Sequence, residues 1–479
     1  MAQSCELLIV GAGPAGLAAA TQASGLGVDT VLIDEQPTPG GQIYRSITTT
    51  PLKDPNILGA DYWYGYGLIE KFLSSGTKYL ANATVWGVTR LTGEADEGFE
   101  VHYSTGHGGQ AHAMTARRIL LATGAQERPF PIPGWTLPGV VTAGAAQILL
   151  KTSGIAPGEG AVLAGCGPLL YLLAWQYLNA GVKVDRLLET TPPGRWIRAL
   201  PHVPGFLLSP YLAKGLKLMR AVRSAIPIER HVLALQAVGR DRLESVSFRT
   251  KGRLHQVPAS HLMLHQGVVP NVNLSRALGL DHVWNDRLAC WEPRVDVWGE
   301  TSSPGIAMAG DGAGIGGARA AEQQGRLAAL QVAATLGRID NMQRDRLARE
   351  PRQILARAMR GRAFFDELYQ PPESYRRPSD DTIVCRCEEI SARQVRETVR
   401  LGCMGPNQMK AFLRCGMGPC QGRMCGLTVS ELIAEERGMS PAEVGYYRIR
   451  FPIKPVTLGH VASLSQTDAS RHAVVRIRS

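Results

Sequence analysis

The chain has 479 residues, 44% hydrophobic and 19% charged, the balance of a folded globular protein with about three domains at roughly 150 residues each. No apolar run reaches the roughly 18 residues of a membrane span, and the start lacks a basic segment, long apolar stretch and cleavage site, so a cytoplasmic, unprocessed chain is expected. The net charge of +11 is dispersed without interleaved aromatics, which argues against nucleic acid and for anionic cofactors or a partner subunit. The most basic stretch, Arg344 to Arg362, reads as a solvated helical face interrupted by Pro351.

The first predicted elements are a strand, a turn, a helix and a second strand, in LLIVGAGPAGLAAATQASGLGVDTVLIDE. Gly11, Gly13 and Gly16 satisfy G-x-G-x-x-G, with Pro14 and Ala15 inside the turn. Gly11 permits the tight turn, Gly13 lets backbone approach a pyrophosphate, and Gly16 lets helix and strand pack closely. The helix N-terminus then turns its free N–H groups toward the phosphates. Asp34 closes the second strand, where an acid binds adenosine ribose hydroxyls, and the adjacent Glu35 is the alternative.

Three further stretches favour a flavin over a nicotinamide. PGGQIYR places Gly41 and Gln42 after the acid, where backbone can come close to a ring. RILLATG is a buried strand ending in Thr123-Gly124, and GIAMAGDGAGIGGARAAEQQG is a strand ending in Gly310-Asp311 before a helix that begins near Gly317. Asp311 is expected to bond the ribitol chain, with the helix N-terminus facing the flavin. This set resembles the two-dinucleotide-binding-domain flavoproteins of the disulfide-reductase-like superfamily. The resemblance implies an α/β fold in which a discontinuous FAD domain carries an inserted second Rossmann-like domain. A second glycine turn, AVLAGCGPLLYLL, agrees with it, but Leu170 stands where a third glycine belongs and Glu189 closes the next strand. NAD, an adenine nucleotide and no ligand at all stay open for that turn. No Cys-x-x-Cys occurs before residue 340, so disulfide reduction is not expected, and His261 and His265 read as structural residues of a strand.

The expected domain limits are 1–150 and 256–340 for the FAD domain, 151–255 for the insert and 341–381 for a helical and linker segment. The cysteine-rich domain takes 382–440 and a tail 441–479. Six of the nine cysteines lie at 385, 387, 403, 415, 420 and 425, and crowded thiols in a cytoplasmic chain point to metal rather than disulfides. Cys-x-Cys followed 33 residues later by Cys-x4-Cys offers four thiolates, a set that both zinc and [2Fe-2S] accept. CRCEEI and GMGPCQGRMCG resemble the [2Fe-2S] domain of bacterioferritin-associated ferredoxin in its flavoprotein-fused form. That resemblance assigns Cys385, Cys387, Cys420 and Cys425 to a [2Fe-2S] cluster, with Cys403 and Cys415 as spares and Cys415-x4-Cys420 as a competing pair.

Together with the tail YYRIRFPIKPVTLGHVA, the whole order resembles the α subunits of bacterial amine-oxidising flavoprotein complexes. These include the opine oxidases, D-hydroxyproline and proline dehydrogenases, and hydrogen cyanide synthase. The resemblance implies an electron-transfer α subunit whose β partner, an amino-acid-oxidase-like chain with its own FAD, oxidises the C–N bond. It also implies an FMN at the α/β boundary, membrane association no more than peripheral, and a small [2Fe-2S] γ subunit. The alternatives are a self-sufficient NADH-dependent flavin reductase and a non-enzymatic redox or iron sensor.

Overall fold

The computed structural model describes residues 3–91, 98–106 and 110–464, so the last fifteen residues of the expected tail lie outside the described residues. Its larger sheet runs Lys78–Leu80, Thr30–Ile33, Gln3–Val10, Ala111–Leu121, Gly98–Thr105, Ala83–Leu91, with Ile306–Met308 also pairing on Ala111–Leu121. Strands Lys78–Leu80, Thr30–Ile33, Gln3–Val10, Ala111–Leu121 and Ile306–Met308 are parallel, and the hairpin Ala83–Leu91/Gly98–Thr105 is antiparallel. The return of Ile306–Met308 to a sheet begun at residue 3 is the discontinuous domain, and it follows from burial: Leu7, Leu8, Ile9, Leu120 and Leu121 are wholly enclosed, as parallel strands covered on both faces require.

The second sheet is parallel throughout, ordered Ile228–Arg230, Arg186–Glu189, Ala161–Cys166, His261–Gln266, Val140–Thr142. The expected limits at 150/151 and 255/256 fall inside the helix Ala143–Ser153 and the strand Arg253–Pro258, and the strands Val140–Thr142 and His261–Gln266 extend this sheet beyond both limits. Three-residue Val140–Thr142 is too short to carry an alternating pattern; only its pairing reveals it.

The segment Gln370 to Asp381, expected as a linker, is instead a packed strap. Tyr375 is buried and donates to the Val232 carbonyl at 2.9 Å. Arg376 pairs with the buried Glu431 on the helix Gly426–Arg437, a partnership that compensates a carboxylate taken out of water. Its prolines mark turns without saying whether the turns are wet. The cysteine-rich unit comprises a short hairpin, Ile383–Cys385/Ile390–Ser391, and helices Ala392–Arg400, Pro406–Leu413 and Gly426–Arg437. It shares one hydrophobic core with the large sheet, in which Val384, Cys385 and Ile433 join Val10, Leu121 and Met308.

Candidate cofactor cradle and thiol cluster

At the first turn the glycines are required by contact, not merely tolerated. Gly11 has φ +109°, and a Cβ there would lie 2.4 Å from the Ala122 carbonyl oxygen. A Cβ on Gly16 would lie 1.9 Å from the Gly11 carbonyl oxygen, so the helix Pro14–Ser24 sits directly on its strand. Gly41 crosses Gly13 so closely that its Cβ would meet the Gly13 Cα at 2.7 Å. Two bare backbones thus face each other, held by the Gly40 N–H on the Ala12 carbonyl at 2.8 Å.

Asp34 is placed here but spends its oxygens on backbone. Oδ2 accepts from Ala12 N at 2.6 Å and Oδ1 from Gln36 N at 2.7 Å, which fixes the turn, while burial raises its pKa. Glu35, the alternative ribose ligand, points away and pairs with Lys454 of the tail at 2.8 Å. Arg45, beside Asp34, has a buried Nε without a hydrogen-bond partner, and burial lowers its pKa.

The remaining expected residues converge on the same edge. Asp311 Oδ1 accepts from Gly316 N at 2.9 Å and Gly317 N at 2.8 Å, bracing the start of the helix Ala318–Thr335. That helix packs against Pro14–Ser24 so tightly that a Cβ on Gly325 would lie 2.1 Å from the Ala15 carbonyl oxygen. Gly312 lies against Gly124 and Thr123, and a Cβ on Gly310 would meet Ala15 at 2.9 Å. The Thr123 hydroxyl and Gln323 Oε1 are buried without partners, a costly state unless a bound group completes them. Two helix N-termini, paired bare backbones and orphaned polar atoms fit a flavin dinucleotide with its anionic phosphates.

Lys151 was not anticipated. It is buried, and its ammonium donates to the Gln42 and Ile43 carbonyls and to Gln147 Oε1 at 3.2, 2.9 and 2.9 Å. It thereby ties the Gly40-Gly41-Gln42 loop to the helix Ala143–Ser153, and burial brings its pKa down to about 7. Nothing in a lone lysine on a helix signals this.

The C-terminal cysteines gather. The sulfurs of Cys385, Cys415 and Cys425 lie within 4.8 Å of one another and all three are buried. Cys387 and Cys420 are neighbours, with the Cys420 backbone and thiol both bonded to Cys387. A Cβ on Gly418 would lie 2.2 Å from the Cys387 Cβ. Cys415, expected as a spare, therefore lies inside the group, and only Cys403 stands apart, bonded to the Gly405 carbonyl at 3.5 Å. Hydrogen bonds from Cys415 and Cys425, aided by the Gly416 and Glu388 N–H groups, pull the Cys385 thiol down to about 2. The bond to Cys385 pushes Cys415 up to about 12. An all-sulfur donor set of this kind suits zinc or an iron–sulfur cluster.

The tail completes this pocket. Tyr447 covers Gly416 and Gly422, whose added Cβ atoms would strike its ring at 2.5 and 2.6 Å, and Tyr446 covers Gly426. Gly416 and Gly422 thus admit an aromatic ring beside the buried sulfurs of Cys415 and Cys425. The cysteine unit touches the cradle domain through Gln126 Nε2 on the Arg423 carbonyl at 3.0 Å and Asn273 Nδ2 on the Gln421 carbonyl at 3.3 Å.

At the second turn, Gly165 and Gly167 have φ +140° and +112°, but Leu170 is fully buried where Gly16 stands in the first. A cavity of about 160 Å³ lies at the end of this sheet, lined by Tyr171, Glu189, Thr191, Arg223, His231 and Tyr369 among others; pockets for drug-sized ligands begin near ~300 Å³. His265 is buried behind the turn, its Nδ1 2.6 Å from Glu127 Oε1, while the second Glu127 oxygen accepts from Gly144 N at 2.8 Å. The strand pattern shows such a histidine as core and conceals its partner.

Residues 5–325 match the family model described as pyridine nucleotide-disulphide oxidoreductase, and residues 380–464 match the sarcosine oxidase A3 domain. The chain is 47% identical to the opine oxidase A-subunit of Agrobacterium tumefaciens, covering 98% of this chain and 93% of that one. It is 32% identical to hydrogen cyanide synthase subunit HcnB of Pseudomonas aeruginosa, covering 94% and 96%. Among solved structures, L-proline dehydrogenase from P. horikoshii superposes with a TM-score of 0.70 at 19% identity, covering 97% of this chain and 80% of that one, a likeness of fold.

Proposed function

Because the chain belongs to the pyridine nucleotide-disulphide oxidoreductase family and, within it, to the opine oxidase A-subunit group, we propose that it is the electron-transfer subunit of a heteromeric oxidoreductase. It carries FAD in the glycine cradle and a [2Fe-2S] cluster in the thiol group. Its complex oxidises the C–N bond of an opine or an imino or amino acid on a separate FAD-containing subunit. An FMN at the boundary between the two subunits and a small [2Fe-2S] third subunit belong to the same reading.

The observation that carries it is the sharing of one hydrophobic core by the sulfur cluster and the cradle's sheet. When bound, the flavin supplies two-electron chemistry and the cluster one-electron transfer. The residues here bind and orient: Gly11, Gly13, Gly16 and Gly41 admit the dinucleotide, Thr123 and Arg45 offer it polar groups, and Asp311 braces the second helix terminus. Tyr447 covers the buried sulfurs of Cys415 and Cys425.

Four thiols hold the iron pair, and the ferredoxin resemblance assigns Cys385, Cys387, Cys420 and Cys425; of these, Cys385 and Cys425 lie within 4.8 Å of each other, together with Cys415. Cys415 then stands beside Cys385 as its hydrogen-bond donor. Purified chain alone should show flavin and [2Fe-2S] absorbance and no turnover of opine or D-hydroxyproline until the partner subunit is added. Turnover by the isolated chain, or zinc in place of iron, overturns the reading. Cys420→Ser should abolish the cluster spectrum, and Cys415→Ser should shift it while iron content holds; the reverse result assigns the fourth sulfur to Cys415.

A further inference from the structure

The strands Arg186–Glu189 and Ile228–Arg230 pair in parallel, so the chain between them must cross over the sheet, and an ordinary crossover helix buries an apolar stripe against it. Here the crossover is three helices, Arg195–Ala199, Val203–Leu207 and Tyr211–Ala225, that bury only Ala199 and Val222. The first two rest on a small satellite core with Phe364 and Leu368, and the third packs Val222, Leu218 and Met219 on the main core. Six large apolar side chains face outward: Trp196, Ile197, Leu200, Leu207, Leu208 and Leu216. Ile197 is 72% exposed and Leu208 74%, values expected of a surface lysine rather than of a leucine or isoleucine.

The charge on this segment is one-sided. No Asp or Glu occurs between Glu189 and Glu229, while six Lys and Arg do. Lys214 is engaged by Asp61 of the helix Ala60–Leu73, and Arg195 lies near Glu367. Arg198, Lys217 and Arg220 have no ion-pair partner among the described residues.

We infer that residues 195–220 form an in-plane docking element for an anionic lipid surface. Apolar side chains including a tryptophan, interleaved with cations on short helices, match the wetted boundary of a bilayer, where the apolar groups enter and the cations meet headgroup phosphates. A protein partner would have to bring a carboxylate to each of Arg198, Lys217 and Arg220, whereas an anionic lipid surface offers phosphates to all three at once. No helix among the described residues is long and apolar enough to cross a membrane, so the contact lies along the surface. The inference is independent of the redox reading, since vesicle binding is measured whatever the cofactors do.

Full-length chain is spun down with phosphatidylcholine vesicles and with vesicles containing about 30% phosphatidylglycerol, in low salt and in about 0.5 M salt. Binding should be roughly tenfold stronger to the anionic vesicles and weaken in salt. The double variant Leu207→Asp/Leu208→Asp should lose it with unchanged melting temperature and flavin absorbance, and Lys217→Glu/Arg220→Glu should lose it while keeping the apolar face. Absence of binding to anionic vesicles, or binding by either variant equal to that of the unaltered chain, overturns the inference. So does a fall in the mass of the vesicle-free protein on introducing the aspartates, which would assign the face to a second copy of the chain.

Discussion

The two glycine turns of this chain share their first two glycines and part at the third. In the first, Gly16 lets helix and strand touch, and a Cβ would have 1.9 Å to the Gly11 carbonyl oxygen; the space saved is where backbone N–H groups can face phosphates. In the second, Leu170 is wholly buried at the equivalent place. The positive φ of Gly165 and Gly167 persists, so the turn's path survives while its approach to a ligand is altered. Path and ligand access are therefore separable properties of such a turn. The first glycines set the bend, and the third sets how near the helix may come.

The sharpest way to break this comparison is to exchange the residues. Gly16→Leu should remove bound flavin altogether, read as loss of absorbance near the flavin band, because no rotamer escapes a backbone oxygen at that distance. Flavin retention by that variant would refute the argument. Leu170→Ala in the second turn should cost about 2–5 kcal/mol by denaturant titration, the range for a buried leucine, and leave flavin content unchanged. Asp311→Ala should weaken FAD binding to the apoprotein by about 1.5–3 kcal/mol, roughly ten- to a hundredfold, through loss of charged hydrogen bonds to Gly316 and Gly317. Unchanged affinity would show that the helix start needs no brace.

The most gradual effect sharpens the picture of the loop that closes the first turn. Lys151 titrates near 7 when folded against a usual value of 10.5, so between those values the unfolded chain holds a proton that the folded chain has released. Stability relative to a Lys151→Met variant should then rise with pH from about 7 to about 10, by on the order of 1 kcal/mol per pH unit. A flat difference would mean that the three acceptors keep the ammonium charged.

Much of the cradle was legible because its demands are local. A tight turn needs Gly11, close packing needs Gly16, and both follow a strand whose burial shows as an unbroken apolar run. The acids were legible as positions but not as roles: Asp34 turned inward to the Ala12 and Gln36 N–H groups, and Glu35 outward to Lys454. Likewise, the cysteine spacings predicted a cluster, yet spacing does not say that the chain folds back to set Cys415 beside Cys385 and Cys425. The proline-rich strap looked like a linker because Tyr375 and Arg376 find their partners more than fifty residues away, at Val232 and Glu431.

By itself the amino-acid order determined the turns, the alternation of strand and helix, and the crowding of thiols, since steric and hydrogen-bonding rules act over a few residues. Only the folded chain decided where each carboxylate points, which sulfurs meet, where the inserted sheet begins, and that Lys151 is sealed from water. Those outcomes depend on which distant surfaces are buried against one another, and a burial free energy summed over a whole core is not carried by any single stretch of residues.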